Sequence, residues 1–123
     1  MANDKAIKMK FARPLTAAVI ALLSVTVTQA ETVYVKYRGP VDLKPFDCVN
    51  TVSSFVNKVC YDKANSYMLI LLNSTWHHYC EIDSGTVAAL IGAESVGRFF
   101  NANIKGTGKD GPFDCRSHRV PNY

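Results

Sequence analysis

Cys48, Cys60, Cys80 and Cys115 are the only cysteines of this 123-residue chain, and all four lie beyond residue 30. An even number of cysteines in a small domain that reaches an oxidising compartment reads as two disulfides. As metal ligands the same residues would need close pairs. Here neighbouring cysteines are separated by 11, 19 and 34 residues, with no C-x2-C pair, so neither a metal nor a cofactor is expected. Two of the cysteines end the same tetrapeptide, Pro45-Phe46-Asp47-Cys48 and Pro112-Phe113-Asp114-Cys115. The preceding segments, VDLK and GKDG, do not resemble each other, so the pair reads as convergent turn chemistry rather than an internal repeat. The expectation is one covalent belt joining the two.

Residues 1–30 fit the pattern of a secretory signal. Lys5, Lys8, Lys10 and Arg13 precede fourteen uncharged, mostly apolar residues, and Gln29-Ala30 precedes Glu31. That apolar run is short of the roughly 20 residues a membrane span needs. Cleavage after Ala30 is expected, leaving no transmembrane segment and one domain, residues 31–123, in the periplasm or outside the cell. The leader also carries most of the excess charge. The whole chain has 14 Lys and Arg against 10 Asp and Glu, and four of those bases and one acid lie in residues 1–30. Ten bases against nine acids remain, so bulk charge gives no support to a polyanion partner. A domain of this size buries only about 60–65% of its unfolded surface, which makes covalent staples valuable.

The pattern then predicts an α+β fold. Thr32–Pro40 alternates as a half-buried strand closed by Gly39-Pro40, and VDLKPFDCVNT reads as irregular. Val52–Asp62, Tyr67–Leu72 and Thr75–Ile82 read as three strands with short connections, an antiparallel meander within a three- to four-stranded sheet. Asp83 or Ser84 caps a packing helix carrying Val87, Leu90 and Ile91, which is expected to break near Gly97. A short second helix follows over Arg98–Gly106, then a loop at GTGKDGP and a tail held only by Cys115. In such a meander Cys60 and Cys80 fall near the same end, so the expected pairing is Cys48–Cys115 and Cys60–Cys80. First and third strands lie about 9–10 Å apart, however, and bridged Cα atoms within about 7 Å. Cys48–Cys60 with Cys80–Cys115 is therefore the next choice.

Candidate chemistry concentrates in two stretches. In Trp76-His77-His78-Tyr79-Cys80 the two histidines point to opposite sheet faces, so they cannot share one metal. His78 reads as a core-edge histidine beside Trp76. His77 lies on the more open face with Tyr79 and Glu81, where Asp83 or Glu94 could partner it in acid–base chemistry. Asn73-Ser74-Thr75 also fits a glycosylation sequon, meaningful only in a eukaryotic secretory pathway. The second stretch, Ala93–Gly106, sets Arg98, Asn101, Asn103 and Lys105 around Phe99 and Phe100. One ring there plugs the core, and the polar residues beside the other could hold a base or a phosphate.

SSFVNKVCYDKANSYMLILL, WHHYCEI and AESVGRFFNANIKG together resemble the KTSC domain family, named after the C-terminus of some lysyl-tRNA synthetases. Ala93, Ser95, Gly97, Phe99, Phe100, Asn101 and Ile104 match its A-x-S-x-G-x-[FY]-[FY]-N-x-x-I ending, and the resemblance spans about Ser53–Lys105. Its Y-x-Y strand falls on His77-His78-Tyr79, where the first tyrosine is replaced, and its usual proline is Asp83. The synthetase context implies RNA as a partner class. Near-neutral charge, export and the missing tyrosine argue against it here. The leading expectation is a non-enzymatic binding module of the exported, four-cysteine bacterial kind. Its ligand surface would comprise His77, Tyr79, Arg98, Phe99 and Asn101, with no catalytic residues. The alternatives are a periplasmic hydrolase using His77 or His78 with a carboxylate, and a structural or interaction protein whose partner is an envelope protein.

Overall fold

The computed structural model describes residues 31–106 and 111–123. Residues 1–30, where a secretory leader is expected, and the centre of the GTGKDGP segment lie outside the described residues. Six strands form one mixed sheet: β1 Thr32–Val35, β2 Gly39–Asp42, β3 Asp47–Asn50, β4 Val56–Asp62, β5 Tyr67–Leu72 and β6 Thr75–Tyr79. Their spatial order is β2-β1-β6-β5-β4-β3. The fold class is α+β as expected, and the β4-β5-β6 meander is antiparallel. The strand count and the all-antiparallel description need correction, because β1 pairs parallel to β6 through Val35 and Trp76.

Two local conformations explain the extra strands. Tyr37 adopts φ 69° and Gly39 φ 101°, so the chain reverses within what reads as one strand. The result is the β1–β2 hairpin, with Thr32 opposite Asp42 and Val35 opposite Gly39. Pro40 sits in β2, an edge strand, where its missing N–H costs no ladder bond. The segment read as irregular contains β3, which pairs antiparallel with β4.

That register also corrects the sulfur pairing. Cys48 lies opposite Cys60, and the two are bonded with Cα atoms 4.0 Å apart. Cys80 is bonded to Cys115 at a Cα separation of 4.9 Å. The expected Cys48–Cys115 and Cys60–Cys80 bridges do not form; the second-choice pairing does. β4 and β6 are separated by β5, and the distance objection to bridging them holds. The two Pro-Phe-Asp-Cys segments therefore anchor different strands. Phe46 is buried against Tyr67 and Tyr123, with ring centroids 6.1 and 5.3 Å away. Phe113 packs on the other core, and its carbonyl accepts the Cys80 N–H at 2.9 Å.

Both faces of the sheet are covered, which is why Tyr67–Leu72 is apolar without alternation. On one face Val56, Val59, Met68 and Ile70 meet α1, Ser84–Ile91, and α2, Val96–Phe99. α1 begins where the Asp83 carboxylate accepts the Thr86 N–H at 3.0 Å, and it ends at Gly92, earlier than the expected break at Gly97. α2 is capped by Ser95 and runs into a π-helical turn, Phe100–Lys105, which inserts Phe100 and Ile104 into the core. On the other face Val33, Val35, Val41 and Leu43 curl over Cys60, Tyr67, Leu69 and Cys80. Glu81 at φ 51° breaks the alternation that would continue from β6, so Ile82 joins the helix-covered core.

The tail is held by more than Cys115. Tyr123 Oη donates to Asp62 Oδ2 at 2.6 Å, the Arg119 N–H donates to Glu81 Oε2 at 3.1 Å, and Pro121 is buried. Among the described residues, no helix is long and apolar enough to cross a membrane.

Candidate functional site

The parallel pairing of β1 with β6 is one residue pair long, and this brevity creates the site. Trp76 C=O accepts the Lys36 N–H at 2.9 Å, after which β1 turns away at Tyr37. Four residues along β6, Cys80 N–H reaches the tail at Phe113. In a strand, alternate residues aim their backbone groups to the same side. His78 lies midway between two residues that bond outward, so its own N–H and C=O face outward too. Among the described residues no backbone group bonds to them. A cleft of about 990 Å³ opens over this gap. The β1–β2 turn forms one wall through Lys36, Tyr37 and Arg38, and the tail forms the other through Asp114, Cys115 and Arg116. His77, His78 and Tyr79 form the floor, and Lys105 from the π-helical turn also lines it.

The floor is organised by hydrogen bonds along the Tyr67–Leu69 face of the sheet. Arg38 Nη1 donates to Tyr67 Oη at 3.2 Å, and that hydroxyl lies 2.8 Å from His78 Nδ1. A guanidinium can only donate, so the tyrosine oxygen accepts from Arg38, while the direction of its bond to Nδ1 is set by the His78 tautomer. Burial, then the Arg38 charge, holds the His78 pKa below the ordinary 6.5, which favours the neutral ring. Burial and Lys36 depress His77 in the same direction. The Tyr79 hydroxyl is pushed up to about 12, by burial first and by Asp114 second, and its ring stands edge-on to Phe100 at 5.7 Å. Asp114 is held at about 2 by the Arg116 guanidinium, which donates to its carboxylate at 2.6 Å. Arg38 lies over the Tyr67 and Tyr123 rings, 5.3 and 5.2 Å from their centroids, so its position is fixed by stacking as well as by its hydrogen bond.

The five residues expected to share one surface are divided between three places. His77 and Tyr79 line the cleft. Arg98 and Asn101 line a smaller cavity of about 270 Å³ beside Val52–Phe55. Phe99 is half-buried against the helix-side core, and its carbonyl accepts from Asn103 Nδ2 at 3.2 Å. The His77 face, read as the more open one, is the face the helices cover. Asp83 is occupied as the α1 cap, bonding both the N–H and the Oγ1 of Thr86, and Glu94 lines the smaller cavity. Neither carboxylate hydrogen-bonds to His77. His78 Nδ1 or Nε2 and the Cys80 and Cys115 sulfurs lie within 4.8 Å of one another, but both sulfurs are spent in a disulfide and offer no thiolate. Lys36, Tyr37, Arg38 and Arg116 were not among the sequence candidates. The run Lys36-Tyr37-Arg38-Gly39 is a cation–aromatic turn that could have drawn notice. Its position over the histidines depends on the parallel pairing, which has no local signature.

Gly97 shows how the residues that carried the family resemblance work in the fold. A Cβ there would lie 2.6 Å from Phe55 Cε1, so the close approach of α2 to the segment before β4 requires glycine. Ser95 caps α2 by accepting the Arg98 N–H at 3.3 Å, and Phe100 and Ile104 fill the core beneath. No curated protein shows significant similarity to the chain. Residues 52–107 match the family model of the KTSC domain, covering β4 to the end of the π-helical turn. Residues 52–107, the central strands and their helical cover, are thus a KTSC domain, and the flanking segments are bonded to that domain by two disulfides.

Proposed function

We propose that this protein is an exported, non-enzymatic binding module whose ligand occupies the cleft over β6. The observation that carries the reading is the interrupted edge. A backbone donor and acceptor at His78 lie open between two walls that are both fixed in place, one by Arg38 stacking and one by the Cys80–Cys115 bridge. Concave sites with a few convergent polar groups on a rigid frame are where small ligands bind. Both walls come from outside residues 52–107, from the N-terminal hairpin and the C-terminal tail. The domain match therefore supplies the floor, and the flanks supply selectivity. The leader-like residues 1–30 and four cysteines paired in two disulfides support residence in the periplasm or outside the cell.

The competing hydrolase reading has less support, because neither histidine has a carboxylate hydrogen-bond partner among the described residues and a neutral His78 is already committed to Tyr67. Amide shifts of the 15N-labelled, oxidised protein should be followed against small-molecule mixtures grouped as anionic, cationic and neutral. Shifts confined to Lys36–Arg38, His77–Cys80 and Phe113–Arg116 are expected. Shifts clustered at Val52–Phe55 with Arg98 and Asn101 would move the site to the smaller cavity, and consumption of a compound would favour the hydrolase. Silence at both, with a defined envelope protein co-purifying, would favour the interaction-protein reading.

A further inference from the structure

We infer that the ligand of this cleft is an oxyanion, a phosphate or carboxylate group, received by the outward N–H of His78 between Lys36 and Lys105. The inference rests on the cleft being the binding site and adds the chemistry of what fills it. Beyond residue 30 the chain is nearly balanced, with ten bases against nine acids. The cleft is not balanced. Four cations, Lys36, Arg38, Lys105 and Arg116, line it among the described residues, against one acid, Asp114. That acid already accepts from Arg116, at 2.6 Å from Nη2 and 3.1 Å from Nε, so its charge is compensated locally. What is left is a concentration of positive charge over a concave floor, where field lines converge and anions are favoured.

The floor adds a directional donor. A strand N–H without a ladder partner satisfies itself with whatever acceptor reaches it, and here the acceptor would arrive between ammonium groups. The neighbouring histidines report the same field, since Lys36 helps to depress His77 and Arg38 helps to depress His78. A cationic ligand would meet repulsion from Lys36, Arg38 and Lys105, and a neutral one would leave the lysines uncompensated. Tyr37, 88% exposed, sits on the rim with Lys36 Nζ 5.2 Å from its ring centroid, and gives an aromatic shelf to any planar group attached to the anion. The volume of about 990 Å³, closed at one end by the bridged tail, fits a metabolite-sized anion.

The test is a titration of the oxidised protein with pyrophosphate and, separately, with citrate at low ionic strength, read by amide shifts. Binding of either one, with the His78 amide among the largest shifts, is expected, and whichever binds more tightly identifies the head group. The lysines are surface residues, so Lys36→Gln with Lys105→Gln should leave the fold intact and weaken binding about tenfold. Lys58→Gln with Lys63→Gln, outside the cleft, should not change it. Raising salt to about 0.5 M should weaken binding in the wild type, because exposed charges are screened at that ionic strength. If neither anion moves the His78 amide, or the cleft double variant binds as the wild type does, the inference is wrong. Should neutral compounds move the cleft amides while both anions fail, the cleft remains the site and only its charge preference falls. Tighter binding of a single-stranded RNA oligonucleotide, with shifts extending beyond the cleft and unaffected by the two lysine changes, would also overturn it.

Discussion

Replacing Gly97 with alanine sets two effects of opposite sign against each other. In a helix, glycine to alanine ordinarily stabilises, by about 0.5–1 kcal/mol, because glycine loses more backbone freedom on folding. At Gly97 the added Cβ would meet Phe55 Cε1 at 2.6 Å and Cζ at 3.1 Å, with Ser53 Oγ at 3.4 Å. Phe55 cannot retreat freely. Its carbonyl accepts the Asn73 N–H at 2.8 Å, its N–H lies 3.4 Å from Ser53 Oγ, and its ring stands edge-on to Phe100 at 6.2 Å. Phe100 is itself 1% exposed, so a shift of the Phe55 ring propagates into the core. Overpacking of this kind costs about 1–3 kcal/mol. The cost exceeds the helix gain, and a net loss of about 1 kcal/mol is expected. Urea unfolding of the oxidised protein would read it as a lower midpoint at unchanged slope. The decisive measurement is a double-mutant cycle with Phe55→Ala. Once the ring is gone, Gly97→Ala should become neutral or stabilising, with a coupling energy of about 1–3 kcal/mol. A stabilising Gly97→Ala in the wild-type background, or additive single effects, would refute the claim that this glycine is demanded by Phe55.

The disulfides should differ in their effect. In the chain-entropy account, opening the 35-residue Cys80–Cys115 loop by paired serine substitution costs about 4 kcal/mol, and opening the 12-residue Cys48–Cys60 loop about 3; urea midpoints in the reverse order would contradict the assignment of the loops. Acid stability follows from two carboxylates held below their ordinary 3.8. Burial raises Asp62, but donors from Asn65 and Tyr123 outweigh it, and Arg116 takes Asp114 to about 2. A depressed folded pKa means the stabilisation is complete above the ordinary value and is lost as pH falls below 3.8, through about 2 for Asp114. Thermal midpoints should therefore drop across that window, and Asp62→Asn should flatten the drop; an unchanged acid limb would show that Asp62 is not a contributor. Tyr123→Phe removes the 2.6 Å donor to buried Asp62. It should cost about 1 kcal/mol, discounted from the usual value for a charge-assisted bond because Tyr123 is half-exposed, and limited proteolysis should then cut the tail faster.

What could be read from the chain and what could not follow a physical division between local and non-local information. The β4-β5-β6 meander, the Asp83 cap and the second helix that contains Phe100 and Ile104 are written in short-range patterns and are found there, although β4 starts later, at Val56, β6 ends earlier, at Tyr79, and the helix starts earlier, at Val96. The β1–β2 hairpin was hidden because the chain reverses at Tyr37, which carries a left-handed φ without being glycine, asparagine or aspartate, two residues before the Gly39-Pro40 signal. β3 was hidden because its residues, Asp47–Asn50, are all exposed on an edge and show no alternation. The wrong sulfur pairing followed from that single omission. Without β3, Cys48 has no neighbour; with it, Cys60 lies directly opposite. The site shows the same division. His77, Tyr79 and Lys105 were legible as chemistry-bearing residues. Lys36, Tyr37, Arg38 and Arg116 reach them through non-local links, chief among them one parallel residue pair and one disulfide. Both links join segments outside residues 52–107 to the domain they flank. The open His78 edge belongs to β6, within the matched domain, but the charge around it is brought mainly by the flanks. Two chains sharing this domain and differing in those flanks should therefore share a fold and differ in what they bind.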